Sequence, residues 1–178
     1  MTKARGELEA ECWAFALEIY AKPGISEACL TLQNEAGVDV MLLLAIVFAA
    51  TRQRILLTPA EIGRLDEACR PWREQIVWPL RSIRAGLKGG PQPAPSSDTE
   101  LFRSRIKAAE LEAERLQNQL LVDSLPMRPG KHAVAAEELR SVIGSVVALF
   151  LEKDGVKLSV DLLPSINEIV ETAMQDPR

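Results

Sequence analysis

Residues 40–50, Val-Met-Leu-Leu-Leu-Ala-Ile-Val-Phe-Ala-Ala, contain no polar side chain, and this run limits what the chain can fold into. A helix without a polar face needs other elements on every side, or lipid. A membrane span takes roughly 20 apolar residues; this run is much shorter, and Asp39 stands directly before it. It therefore reads as a buried helix, about 38–52. Asp39 sits where an N-cap belongs, able to accept hydrogen bonds from the free N–H groups of the first turn. The expected fold is an all-α helical bundle packed around this central apolar helix.

The flanking sequence supplies helices to wrap it. Leu8, Cys12, Phe15 and Ile19 fall on one face of a helix over about 7–21, stopped by Pro23-Gly24. A second helix starts near Ser26 and ends at Gly37. Thr58-Pro59-Ala60-Glu61 combines a capping Thr, Pro at the first helical position and Glu three residues after the cap. The helix it starts runs on through Trp72 toward Leu80, Ile83 and Leu87, with a kink expected at Pro79.

Gly89-Gly90-Pro91-Gln92-Pro93-Ala94-Pro95-Ser96-Ser97 reads as a linker. Asp98 or Thr99 is then the expected cap of an amphipathic, heptad-like helix over 100–123. Its seam is Phe102, Ile106, Ala109, Ala113, Leu116 and Leu120, with Lys107–Glu110 and Glu112–Arg115 pairs beside it. The expected organisation is a core helical domain over 1–88, the linker at 89–99, this helix, a Pro/Gly linker at 124–132 and a C-terminal helical extension over 133–178. In that extension Leu139, Val142, Ile143, Val146 and Phe150 face inward, Asp154-Gly155 turns the chain, and Val156, Leu158 and Val160 form an extended connector to a last helix.

At 178 residues, with 47% hydrophobic and 26% charged residues, the chain can bury a sizeable core without staples. A formal charge of -4 gives no bulk attraction to nucleic acid or anionic membrane. Cys12, Cys29 and Cys69 are an odd number with no zinc spacing, and the N-terminus has no secretory signature, so a cytoplasmic setting is expected. Cys12 and Cys29 across the first hairpin read as small core hydrophobes in preference to a redox pair. His132, the lone His, reads as a surface residue. No cofactor, metal or catalytic residue is expected.

Three sets of residues are candidates for function. Tyr20, Gln33 and Asp39 come from neighbouring helix ends and, with Trp13 and Trp72, could frame a pocket for a small or isoprenoid-like molecule; the structural alternative is a helix cap and core filling. Arg73, Arg81, Arg84 and Lys88, with Arg70, make a basic stripe able to hold phosphate or carboxylate groups. The alternative there is pairing with an acidic face around Glu110 and Glu114. The seam over 100–122, or the C-terminal pair over 133–176, could dock a protein partner or a second copy.

The first half of the chain resembles a family of small all-helical proteobacterial proteins known only as conserved hypothetical proteins. The resemblance rests on Trp13-x-Phe15-x-Leu17-x-x-Tyr20, Pro23-Gly24-Ile25, Cys29-Leu30-x-Leu32-Gln33 and Gly37-x-Asp39-Val40-x-Leu42-Leu43-Leu44. It continues in Trp72, Pro79-Leu80-Arg81-x-x-Arg84 and Lys107-Ala-Ala-Glu110-Leu-Glu-Ala-Glu114, covering about residues 11–122. The chain departs at Met41, where the family pattern carries Asn. The resemblance implies a bacterial, helical context and brings no activity with it. The reading that follows is an accessory or adaptor protein without enzymatic activity, acting through protein contacts; the alternative is a ligand-binding bundle or cryptic enzyme with its pocket near Tyr20, Gln33 and Asp39.

Overall fold

The computed structural model describes residues 2–130, 133–153 and 160–175. His132, Asp154-Gly155, Val156 and Leu158 lie outside them. The elements are α1 (Thr2–Tyr20), α2 (Ile25–Ala36), α3 (Val40–Thr51), α4 (Pro59–Trp72), a π turn (Arg73–Val77), α5 (Trp78–Gly86), α6 (Ser97–Ser124), α7 (Ala136–Lys153), a 3-10 turn (Val160–Leu162) and α8 (Leu163–Gln175). The fold is an all-α bundle.

The apolar run is α3, and every residue from Met41 to Ala50 is buried. Helices α1, α2, α4, α6, α7 and α8 all touch it. Cys12, Phe15 and Ile19 of α1 cover one flank, as their spacing predicts, with Leu8 partly buried beside them and Ala16 joining them, and Leu139, Ile143, Val146 and Val147 of α7 lie fully buried in the same core. Helix α8 packs Ile166, Ile169 and Val170 inward and lies along α2. Residues 100–123 and the described part of 133–178 thus share one hydrophobic core with residues 1–88. The reason is physical: α3 is apolar all round, and α1, α2 and α4 alone do not enclose it.

Local chemistry sets the joints. Gly37, in the left-handed region at φ 65°, ends α2 with the paired bonds Gly37 N–H to Gln33 O and Val38 N–H to Leu32 O. Two residues on, Asp39 Oδ1 accepts from Met41 N (2.9 Å) and Leu42 N (3.3 Å) and starts α3. Thr58 and Glu61 form the expected reciprocal cap of α4. At Pro79 a widened turn takes the place of a simple kink. Proline cannot donate to a carbonyl one turn back, and the chain answers with the π turn, in which Trp78 N–H bonds Arg73 O.

The cap of α6 corrects the expectation of Asp98 or Thr99. Ser96 is the cap: its hydroxyl accepts from Thr99 N (3.2 Å) while the Thr99 hydroxyl accepts from Ser96 N (2.8 Å). Thr99 fills the place usually held by Glu or Gln. The inward face of α6 also differs from the apolar seam. It presents Glu110, Ala113, Gln117, Asn118, Leu121 and Val122 to the bundle. Of the seam, Ala113 is buried, Ile106 and Leu116 are half-buried, and Phe102, Ala109 and Leu120 are exposed. Polar side chains win the inward places because each has a long-range partner waiting: Asn118 Nδ2 donates to Glu9 O (3.2 Å), and Glu110 and Gln117 join the networks described below.

Candidate functional site

Two polar networks sit on either side of the α2–α3 junction. The inner one is built on Arg73, 2% exposed in the first position of the π turn. Its Nη1 donates to Asp39 Oδ2 (3.0 Å) and to Asp66 Oδ1 (2.9 Å), both buried carboxylates. Gln117 Nε2 of α6 donates to the same Asp39 oxygen, and Arg70 donates to Asp66 Oδ2 through Nε (3.1 Å) and Nη2 (2.6 Å). The guanidinium lies 5.3 Å from the Trp78 ring centroid and 5.4 Å from that of Phe150. Asp39 therefore does two jobs: one oxygen caps α3 and the other anchors an ion pair.

Arg70 and Arg73 balance Asp39 and Asp66 in this inner cluster, and Glu74 stands at its outer edge, 3.9 Å from Arg73 Nη2. Burial pushes the Cys69 thiol beside the cluster up to about 12, with Asp39 adding to the effect. Cys12 and Cys29 are likewise pushed up to about 12 by burial, so none of the three is a ready nucleophile. No group of three or more His, Cys, Asp or Glu among the described residues could hold a metal ion.

The outer network borders a cleft of about 480 Å³ between α1 and α6, floored by the start of α3. Trp13, Leu17, Leu30, Val40, Met41, Leu44 and Leu111 give it apolar walls; Gln33, Arg81, Arg84, Glu110 and Glu114 form its polar end, Tyr20 is close enough to feel Glu114 and the two arginines, and Lys107 also lines the cleft. Arg81 is the keystone of that end. It donates to Gln33 Oε1 (2.7 Å), Glu110 Oε1 (3.0 Å) and Glu114 Oε1 (2.7 Å), while Arg84 donates to both oxygens of Glu110.

The arginines lower both acids, but the two end on opposite sides of the ordinary carboxylate value. Burial raises the Glu110 carboxyl, but the paired hydrogen bonds from Arg84 and Arg81 outweigh it and hold the group low. Burial dominates at Glu114 and lifts it, with Arg81 opposing and the Glu110 charge adding. The Tyr20 hydroxyl is also raised, by burial first and then by Cys29 and Glu114.

The cleft gathers parts of two separate sequence candidates. Trp13, Tyr20 and Gln33 of the proposed pocket meet Arg81 and Arg84 of the basic stripe. Asp39 lies beneath, in the inner network. Trp72 is turned away, its indole N–H bonded to Ala113 O (2.9 Å) and tying α4 to α6. Arg73 is buried, Lys88 is exposed and close enough to Glu100 to feel its charge, and the acidic partners of the stripe are Glu110 and Glu114. The Lys107–Glu110 pair does not form, because Glu110 is taken by the two arginines; Glu112–Arg115 does, at 3.1 Å. Sequence reasoning missed Asp66, Gln117 and Lys107. Gln117 acquires its role from Asp39, 78 positions away, and no local pattern records that; Asp66 stands four residues before Arg70, a helical ion-pair spacing that marks it, and only its bond to Arg73 goes beyond that spacing.

Among the described residues no helix is long and apolar enough to cross a membrane. No curated protein and no solved structure matches the chain. A family model does, over residues 11–121, a stretch that includes α3, the Arg73 network and the residues around the cleft. The chain belongs to that family, the proteins of unknown function DUF2390.

Proposed function

We propose that this protein is a ligand-binding helical bundle, a carrier or sensor without chemistry of its own, that takes an elongated amphipathic small molecule into the cleft between α1 and α6. One observation carries the reading. Leu17, Leu30 and Leu111 are 48%, 45% and 48% exposed, and all three line the same cleft, where Tyr20 adds its ring. Scattered exposed leucines need no explanation, but several around one concavity of about 480 Å³ do. A polar end formed by ordered side chains would fix the orientation of what enters. The buried, unpaired cysteines suit a reducing compartment such as the bacterial cytoplasm.

The test uses N-phenyl-1-naphthylamine, a neutral apolar dye that fluoresces when it leaves water. Saturable enhancement at one site is expected, together with its loss in the Leu17→Glu/Leu111→Glu double variant, whose exposed positions leave folding intact. Enhancement that survives in that variant, or none in the native protein, overturns the reading.

A second reading has its own observation. Leu101, Phe102 and Ile83 stand 65%, 48% and 48% exposed on the packed pair α5 and α6, which favours a protein partner or a second copy there, the adaptor role drawn from sequence. Concentration-dependent sedimentation that Phe102→Ser abolishes would support self-association through this face.

A further inference from the structure

We propose that the cleft selects ligands with a single carboxylate head, received by Lys107, Gln33 and Tyr20, with the apolar tail lying along Leu17 and Leu111. This rests on the ligand-binding reading above and names its substrate class. The cleft is lined by donors that nothing among the described residues uses. Arg81 can only donate, so its 2.7 Å contact fixes Gln33 with the amide oxygen toward the guanidinium and leaves the Gln33 NH₂ group free. Neither the Tyr20 hydroxyl nor the Lys107 ammonium has a hydrogen-bond or ion-pair partner among the described residues, and both line the cleft. Three unspent donors around one opening ask for an acceptor.

Charge narrows the choice. Arg81 and Arg84 are matched by Glu110 and Glu114, so the lining of the cleft carries one cation in excess, Lys107. One surplus positive charge suits a monoanion; a phosphate monoester would bring two negative charges beside Glu114, and a cationic head would meet Lys107 unshielded. The apolar walls exclude a free small acid such as acetate, which would leave them wet.

The experiment is displacement of bound N-phenyl-1-naphthylamine from the full chain by decanoate, 1-decanol, decyl phosphate and decyltrimethylammonium. Decanoate is expected to compete at least about tenfold better than each of the others. Lys107→Met, a change at an exposed position, should bring decanoate down to the level of 1-decanol while leaving 1-decanol unchanged, and Tyr20→Phe should lower decanoate several-fold. If 1-decanol or decyl phosphate competes as well as decanoate, or Lys107→Met leaves their ratio unchanged, the head-group assignment is overturned while the cleft stands. If no amphiphile displaces the dye and Leu17→Glu/Leu111→Glu has no effect, the ligand-binding reading itself fails.

Discussion

Replacing Arg73 by Met should be among the most damaging single substitutions this fold can suffer. The side chain is 2% exposed, and its Nη1 serves two carboxylates that are themselves 7% and 0% exposed. Methionine fills much of the stem but lacks the guanidinium that stands over Trp78 and Phe150, so the loss is electrostatic. Two hydrogen bonds to charged groups, each worth about 1.5–3 kcal/mol, disappear. Asp39 keeps Gln117 and its two cap bonds, and Asp66 keeps Arg70, which limits the damage. Removing one partner of a buried ion pair costs about 3–5 kcal/mol, and a value near 4 kcal/mol is expected here. With a urea m-value of about 2 kcal/mol per molar, the unfolding midpoint followed by tryptophan fluorescence should fall by about 2 M. Asp39→Asn in the Met background should recover about 1 kcal/mol or more, because asparagine caps a helix as well as aspartate and removes the stranded charge. A loss below about 1 kcal/mol for Arg73→Met would refute the view that this arginine ties the start of α3 to α4.

Two further tests probe the chain crossing from α6 to α7. Hydrogen bonds from Arg128, helped by the Thr58 backbone and hydroxyl and opposed by burial, hold the Glu61 carboxyl at about 2 against an ordinary value of 4.5. A carboxyl depressed in the folded state contributes stability above its unfolded value and loses it as pH falls through the folded one. Discounted for an arginine 39% exposed, Arg128→Ala should cost about 1 kcal/mol at pH 7, and the gap from native should close between pH 4.5 and 2; a gap independent of pH would contradict the pairing. Gly130 lies so close to the α3–α4 turn that a Cβ there would stand 2.5 Å from Gln53 O and 2.6 Å from Arg54 Cβ. Gly130→Ala should therefore destabilise by about 1–3 kcal/mol in chemical denaturation, and a neutral result would show that this crossing can shift freely.

The parts of the fold written locally could be read from the chain. Asp39 before the run 40–50, the Thr58-Pro59-Ala60-Glu61 start and the inward positions of α1 and α7 all follow from neighbours within a turn or two, and each has its expected place. Helix α6 shows where such reasoning ends. Apolar spacing picks out Phe102, Ile106 and Leu120 as a seam that could pack on the core or dock a partner, but Arg81, Arg84 and Asp39 bind the polar side of the helix and turn that side inward. Arg73 reads as one member of a basic stripe, yet the π turn at Pro79 displaces it from the face shared by Arg81 and Arg84 and carries it inward. The cleft was half-legible for the same reason: Tyr20 and Gln33 are marked by their position at helix ends, whereas Lys107 and Glu114 reach it only through the docking of α6.

The dependence of α3 on α7 and α8 has a consequence in time. The apolar helix is complete at residue 51, but the side chains that close over it, from Leu139 to Ala173, are synthesised some 90 to 120 residues later. At translation rates of about 5–20 residues per second, that leaves roughly 5–25 s in which a nascent chain carries an uncharged segment covered only by α1, α2, α4 and α6. Such a segment is a natural holding point for a chaperone. Synthesis of this protein is therefore expected to need protection most while its final quarter is still being made.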